Sequence, residues 1–440
     1  MHQVAVILDF GGPAGRFIAE KVRECGVYCE VLPHDVPGKT VTEKKPKAII
    51  LAGGQTGAGP ALFCAPEIFD CGVPILGVSC PCAAEEDSKK KIFVMRYLPE
   101  GDHADSGMRE LKSFLFDISG LSRCWDMAEY VERTIEELKE KIGDKTALCA
   151  LSGGVDSAVA AVMAHRAIGD GLTCIFVDHG LLRKNEADDV MRTLSEKFRM
   201  KIIKTDARER FLSKLAGVCQ PEKKRKIVGE EFIRVFEEEA EKAGGAEFLI
   251  QGTIYPDIIE SGSGNSDVIK SHHNVGGLPD TMSFSEIIEP LRPLFKNEVR
   301  KAGIVLGLDE ETVRRQPFPG PGLAVRVVGE VTEEKLAIVR EADAVFREEI
   351  IKAGLHGEIN QYFAALTDMR SVGVTGDSRT YDRAIALRAV TTSDFMTADF
   401  ARIPYEVLER VSQRIVNEVK QVNRVFYDVT PKPPATIELE

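Results

Sequence analysis

Short apolar runs separated by amphipathic stretches recur along this chain. Val4–Leu8, followed by Asp9-Phe10-Gly11, reads as a buried strand entering a turn. An amphipathic helix is predicted around Arg16–Glu24, and further strands at Ala48–Leu51 and Val73–Val78. This alternation predicts a small α/β domain over residues 1–120. Residues 121–143 are charged and helical in pattern, and read as a linker. Over 144–320 strand candidates recur at Ala147–Leu151, Thr173–Asp178, Lys201–Thr205 and Glu247–Gly252. Strands alternating with helices predict a parallel sheet that binds ligands at its strand C-termini. From 321 the pattern changes to an α+β unit. Leu323–Val328, Ser371–Val374 and Ala384–Thr391 read as strands, Glu333–Ala353 and Pro404–Lys420 as helices.

Composition narrows the class. A chain of 440 residues fits about three domains. With 44% hydrophobic and 29% charged residues it has the balance of a soluble globular enzyme. The net charge of −12 argues against a general nucleic-acid binder, which needs basic surface. No apolar stretch is long enough to span a bilayer, and the N-terminus does not resemble a signal peptide. The ten cysteines are scattered, which fits a reducing cytoplasm better than a disulfide framework. Cys80-Pro81-Cys82 lacks the spacing and the second pair of a zinc site.

The candidate chemistry lies between Ala147–Leu151 and the helical run Ala158–Met163. Ser152-Gly153-Gly154-Val155-Asp156-Ser157 is a small-residue turn leading into a helix N-terminus. Such a turn aims several backbone N–H groups at one point, and the helix dipole adds positive potential. Ser152 and Ser157 add hydroxyls, and Asp156 is a candidate Mg²⁺ partner. The loop is not a Walker A sequence. It resembles the pyrophosphate loop of the N-type ATP pyrophosphatases, which split ATP into AMP and pyrophosphate.

From residue 144 onward the chain resembles the synthetase half of the GMP synthase family, which converts XMP to GMP. The resemblance runs through Arg210-Phe211-Leu212, Gly252–Asp257 and Ile269–Pro279. It continues in Arg315–Leu323, Gly376–Tyr381 and Lys432–Glu438. It implies an adenine nucleotide alpha hydrolase-like ATP pyrophosphatase domain over 144–320. It also implies a C-terminal α+β dimerisation and XMP-binding domain over 321–440. Carried over residue by residue, ATP would meet Ser152, Gly153, Gly154, Val155, Asp156, Ser157, Asp178, His179 and Gly252. Asp156 and Lys270 would be catalytic, and Arg292 a further cation for phosphates. XMP would meet Arg315, Gln316, Phe318, Pro319, Gly320, Lys432, Ile437 and Glu438, with Gln361 and Arg379 as further candidates. Leu439 stands where the family has an aromatic residue. The implied cofactors are ATP and Mg²⁺, the substrates XMP and ammonia, and the assembly a homodimer.

The front domain resembles the family's flavodoxin-like class I glutamine amidotransferase, through Ile7–Gly11 and Ala52-Gly53-Gly54. That chemistry needs a Cys nucleophile on a tight turn and a His base oriented by a Glu. Where the family reads Gly-Ile-Cys-Tyr-Gly, this chain reads Gly77-Val78-Ser79-Cys80-Pro81, with Ser79 at the nucleophile position. Where the family reads Phe-His-Pro-Glu, this chain reads Tyr97-Leu98-Pro99-Glu100, so Leu98 replaces the base and Glu100 is left without it. Only Ala83–Val94 separates the two motifs, where the family carries much of its glutamine-binding half. Cys80 with His103 is a conceivable substitute pair, set against that missing segment. The expectation is a truncated domain without glutaminase activity, supplied with free ammonia or by a separate glutaminase. The alternatives are the same adenylation chemistry with another nucleophile such as sulfide, or a non-catalytic nucleotide-binding regulator. The retained Asp156, Lys270 and C-terminal tail disfavour the regulator.

Overall fold

The computed structural model describes residues 3–12, 14–53, 63–83, 85–96, 98–99, 103–260, 284–392, 395 and 397–440. The chain divides into two compact units, Met1–Tyr130 and Val131–Glu440.

In the first unit, strands β1 (Val4–Asp9), β2 (Tyr28–Pro33), β3 (Ala48–Ala52), β4 (Ile75–Val78) and β5 (Ile92–Val94) form a parallel sheet in the order β2-β1-β3-β4-β5. Its inner strands are apolar on both faces, as a parallel sheet covered on both sides requires. Helix α1 (Ala14–Glu24) buries Ile18, Ala19 and Val22 at helical spacing. Helix α2 (Met127–Ile142) spans the point where the chain passes from the first unit to the second.

In the second unit, β6 (Ala147–Leu151), β7 (Leu172–Asp178), β8 (Ile202–Asp206), β9 (Phe248–Ile250) and β10 (Glu286–Ile288) form a parallel sheet ordered β10-β9-β6-β7-β8. Strand order reverses at β6, so its C-terminal end is the topological switch point. Helix α3 (Val155–Ile168) follows β6 and buries Val159–Ala164 without interruption. Helix α4 (Pro221–Lys242) covers β7, and α5 (Lys296–Val305) crosses α3 at Gly303, where a Cβ would stand 3.2 Å from Val159.

Helices α6 (Glu333–Lys352) and α7 (Tyr405–Glu418) pack with a second sheet. There β11 (Gln361–Thr375) pairs antiparallel with β12 (Ser378–Thr391). The short β13 (Asp399–Phe400) is also antiparallel to β12, and β14 (Val422–Asp428) is parallel to it. A single hydrophobic core runs from Leu148 and Ile175 through Phe346 to Leu387 and Val422. The segments 144–320 and 321–440 share this core within the second unit.

One expected strand is corrected. Leu323–Val328 is not a strand: Gly322–Arg326 is a 3₁₀ turn, and Val327 makes only an isolated bridge to Leu366. Leu323, Ala324, Val325 and Val327 are all fully buried, so the apolar run reflects burial on every side and not a sheet face. Gly322, at φ +60°, starts the turn where a Cβ would lie 2.4 Å from the Leu181 carbonyl.

Candidate nucleotide site

The Ser152–Ser157 loop leaves β6 at the switch point and caps α3. Gly153 takes φ +80°, a conformation that suits glycine, and Gly154 is the helix N-cap. Val155 is buried and anchors the turn, while Ser152 is exposed. Ser157 is buried. Its hydroxyl donates to Gly154 O (3.1 Å), lies 3.1 Å from Ser152 Oγ and accepts from Ser152 N–H (3.3 Å). It therefore closes the loop from inside. Gly252, at the end of β9, backs the same turn. A Cβ there would meet the Asp156–Ser157 peptide at 2.9 Å, so only glycine fits.

Asp156 points to a partner that the sequence reading missed. Lys296 Nζ, at the first position of α5, donates to both its carboxylate oxygens at 2.9 and 2.7 Å. Both side chains are half-buried. Arg315 reaches the loop from the other side, with Nη1 3.3 Å from Gly153 O and 3.6 Å from the Glu186 carboxylate. A small pocket, partly open to solvent, lies beside the loop, bordered by Gly153, Gly154, Ser157, Val190, Thr312 and Arg315.

The turn after β7 is held by its own side chains and by α6. Asp178 accepts from Gly180 N–H (3.1 Å). His179 is buried, its Nδ1 accepts from Leu181 N–H (3.0 Å), and burial pushes its pKa down to about 4. It is thus a neutral imidazole carrying its proton on Nε2. Arg340 on α6 donates to the carbonyls of Leu182 (3.1 Å) and Gly180. Leu323 N–H donates to Leu181 O (2.8 Å), which fixes this turn to the Arg315–Gly322 segment.

The structure gathers most of the expected XMP contacts into one polar cluster. Phe318 lies under two guanidiniums, Arg183 at 4.3 Å and Arg326 at 5.2 Å from its ring centre. Arg183 also donates to Pro317 O (3.2 Å). Pro319 O accepts from Gly322 N–H (2.8 Å) and closes the turn that holds Gly320. Gln316 Oε1 accepts from Tyr362 N–H (2.8 Å), while its Nε2 is buried with no hydrogen-bond partner among the described residues. Glu438 accepts from Arg326 (3.1 and 3.0 Å) and from Gln361 Nε2 (2.7 Å). Ile437 is buried against Phe363. Lys432 is not part of this cluster: its ammonium donates to Phe395 O (2.7 Å). Arg379 is exposed at the outer end of the β11–β12 hairpin, and Arg292 is paired with Glu289. Lys270 and the Ile269–Pro279 stretch lie outside the described residues.

In the first unit, the turn after β4 keeps an unusual backbone. Ser79 sits at φ +50° and is exposed. A Cβ on Gly77 would lie 2.2 Å from Ala83 O, so the chain folds back tightly there. Cys80 is buried, and burial together with the neighbouring Cys82 thiol pushes its thiol up to about 12, the opposite of an activated nucleophile. Leu98 is half-buried, and Glu100 lies outside the described residues. No group of three or more His, Cys, Asp or Glu side chains among the described residues could hold a metal ion. No helix among them is long and apolar enough to cross a membrane.

Family profiles match three parts of the chain: class-I glutamine amidotransferase over residues 6–82, NAD synthase over 127–233, and the GMP synthase C-terminal domain over 348–439. The GMP synthase [glutamine-hydrolyzing] of Acetivibrio thermocellus is 52% identical over 509 aligned residues, covering all of both chains. That of Caldicellulosiruptor saccharolyticus is 50% identical with the same coverage. The alignment is longer than this 440-residue chain, so a stretch of each relative has no counterpart here. Among solved structures, NMN synthetase from Francisella tularensis is 16% identical with a TM-score of 0.34, covering 48% of this chain and 84% of that one.

Proposed function

The chain belongs to the GMP synthase family, and on that premise we propose that it converts XMP to GMP with ATP and ammonia. O2 of the xanthine base attacks the α-phosphorus of ATP, and pyrophosphate leaves. Ammonia then adds to C2 of the adenylyl-XMP, and AMP departs with the former O2. The observation that carries this reading is the Ser152–Ser157 loop at the switch point, with Asp156 held by Lys296 and Gly153 held by Arg315. The loop amides would bind the leaving pyrophosphate, where negative charge develops. Arg315 couples that loop to the Gln316–Gly320 segment, which would bring XMP beside ATP.

The donor set fits Mg²⁺ only as an ion carried on nucleotide phosphates. Asp156 supplies one carboxylate, the usual protein share for such an ion. Mg²⁺ would supply charge neutralisation on the phosphates, and Lys296 would turn from Asp156 to those phosphates. Lys270 remains a candidate for the same task. A homodimer and a cytoplasmic location go with the family resemblance.

We also propose that the first unit does not hydrolyse glutamine. Ser79 holds the exposed position of the tight turn, Cys80 is buried, and the amidotransferase match ends at residue 82. Ammonia would come from solution or from a separate glutaminase. The test of the synthetase reading is pyrophosphate release from Mg-ATP. It should require XMP, and release that is absent with XMP, or equal without any purine nucleotide, contradicts the reading.

A further inference from the structure

The tail beyond β14 is held by three buried cations from three different elements. Arg388, fully buried on β12, donates to the carbonyls of Thr430 (2.6 Å), Thr436 (3.1 Å) and Ile437 (3.4 Å). Arg326 holds Glu438. Lys224 on α4 holds Glu440.

The Lys224 contact is the most specific of the three. Its side chain is fully buried, and its ammonium donates to Ala324 O (3.1 Å), Val327 O (2.7 Å) and the Glu440 carboxylate. An ammonium has three N–H groups, and all three are used. The second Glu440 oxygen accepts from Gly329 N–H (2.9 Å), and Arg225 donates to the Glu440 main-chain carbonyl. Lys224 therefore ties the tail to Ala324–Gly329, the strip that continues from the Phe318–Gly320 turn. The strip that follows one segment expected to meet XMP and the residue that ends the other therefore meet at this one amine.

Glu438 and Ile437 lie within three residues of Glu440, so freeing Glu440 loosens the groups that would meet the nucleotide. Lys224 itself is shut away from any ligand by its burial. We propose that Lys224, Arg225 and Glu440 form a latch that holds the tail in its nucleotide-binding position, making Lys224 and Glu440 positioning residues for XMP. The proposal rests on the XMP reading for its consequence, and on the contacts alone for the latch. If the latched tail is the binding-competent state, apparent affinity falls by the fraction of molecules left unlatched. ATP binding at the Ser152–Ser157 loop does not use the tail.

The test compares the full chain with Glu440→Gln and Lys224→Met. Glu440→Gln keeps the shape and removes the charge, and it carries the test should Lys224→Met not fold. KM for XMP is expected to rise about tenfold or more, with KM for ATP and kcat at saturating XMP changed by less than about threefold. Backbone hydrogen exchange without substrates is expected to speed up in residues 429–440 and to stay unchanged in β6 and α3. An unchanged KM for XMP, or a parallel rise in both KM values with a fall in kcat, overturns the positioning role. If the parental chain releases no pyrophosphate with XMP, the functional reading fails, and the exchange arm still decides the latch. Faster tail exchange then supports it, and unchanged exchange overturns it.

Discussion

Asp156 and Lys296 form the pair on which the catalytic reading turns. Both are half-buried, and neither supports the core. Lys296→Met and Asp156→Asn should each lower pyrophosphate release by about a hundredfold or more, because on the proposed function each would remove a charge beside the leaving phosphates. Circular dichroism should remain at the parental value, and a variant with near-parental turnover would remove that residue from the site. His179 makes a different prediction. Its folded pKa, about 4, lies below its ordinary value of 6.5 because burial disfavours the imidazolium. The stability it contributes is full above pH 6.5 and is lost as pH falls towards 4, since the unfolded chain takes up the proton first. The loss over that window is roughly 3 kcal/mol. Urea denaturation of parental and His179→Gln chains between pH 7 and 4 should show a smaller acid loss in the variant, and equal slopes would contradict the assignment. The sequence made Asp156 legible because its loop is contiguous. Lys296 was hidden because its partner is 140 residues away. One signal was available: a cation at the first position of α5, where the helix dipole disfavours it. The bond from Leu181 N–H that fixes the tautomer of His179 left no mark in the sequence.

At the scale of elements, the turn after β6 depends on β9. Gly252→Ala would drive a Cβ into the Asp156–Ser157 peptide at 2.9 Å, and backbone cannot yield as a side chain can. We expect a loss of about 1–3 kcal/mol in stability by denaturant titration and a larger proportional loss of pyrophosphate release. An alanine variant with parental activity would mean that the loop does not need its close neighbour. The parallel strands were legible because short apolar runs between helices have few other readings, and β1, β3, β4, β6 and β7 lie close to their expected places. The hairpin was only partly legible. β11 and β12 run for 15 and 14 residues, but Ser378–Asp382 at the outer end is largely exposed and polar, with no apolar alternation to mark it. Gly322–Arg326 misled for the opposite reason, being apolar on all sides and held by Leu181 through contacts no local pattern records.

On the scale of the whole molecule, the chain comprises a unit of 310 residues and a smaller unit, and part of its relatives' length has no counterpart in it. A chain beginning at Arg123 retains all of α2 and the second unit. It should keep ammonium-dependent GMP formation. A soluble truncated chain without activity would show that the first unit takes part in the chemistry. Residues 144–320 and 321–440 carry different sequence patterns but share one core from Leu148 to Val422, built from long-range contacts that no local pattern records. The nitrogen source separates a self-sufficient glutamine-using chain from an ammonia-dependent one. Purified full-length protein should be given XMP and Mg-ATP with either ammonium or glutamine, and GMP should be measured directly. The expected result is GMP with ammonium and none above background with glutamine. Glutamine-driven GMP formation abolished by a thiol alkylator would contradict it.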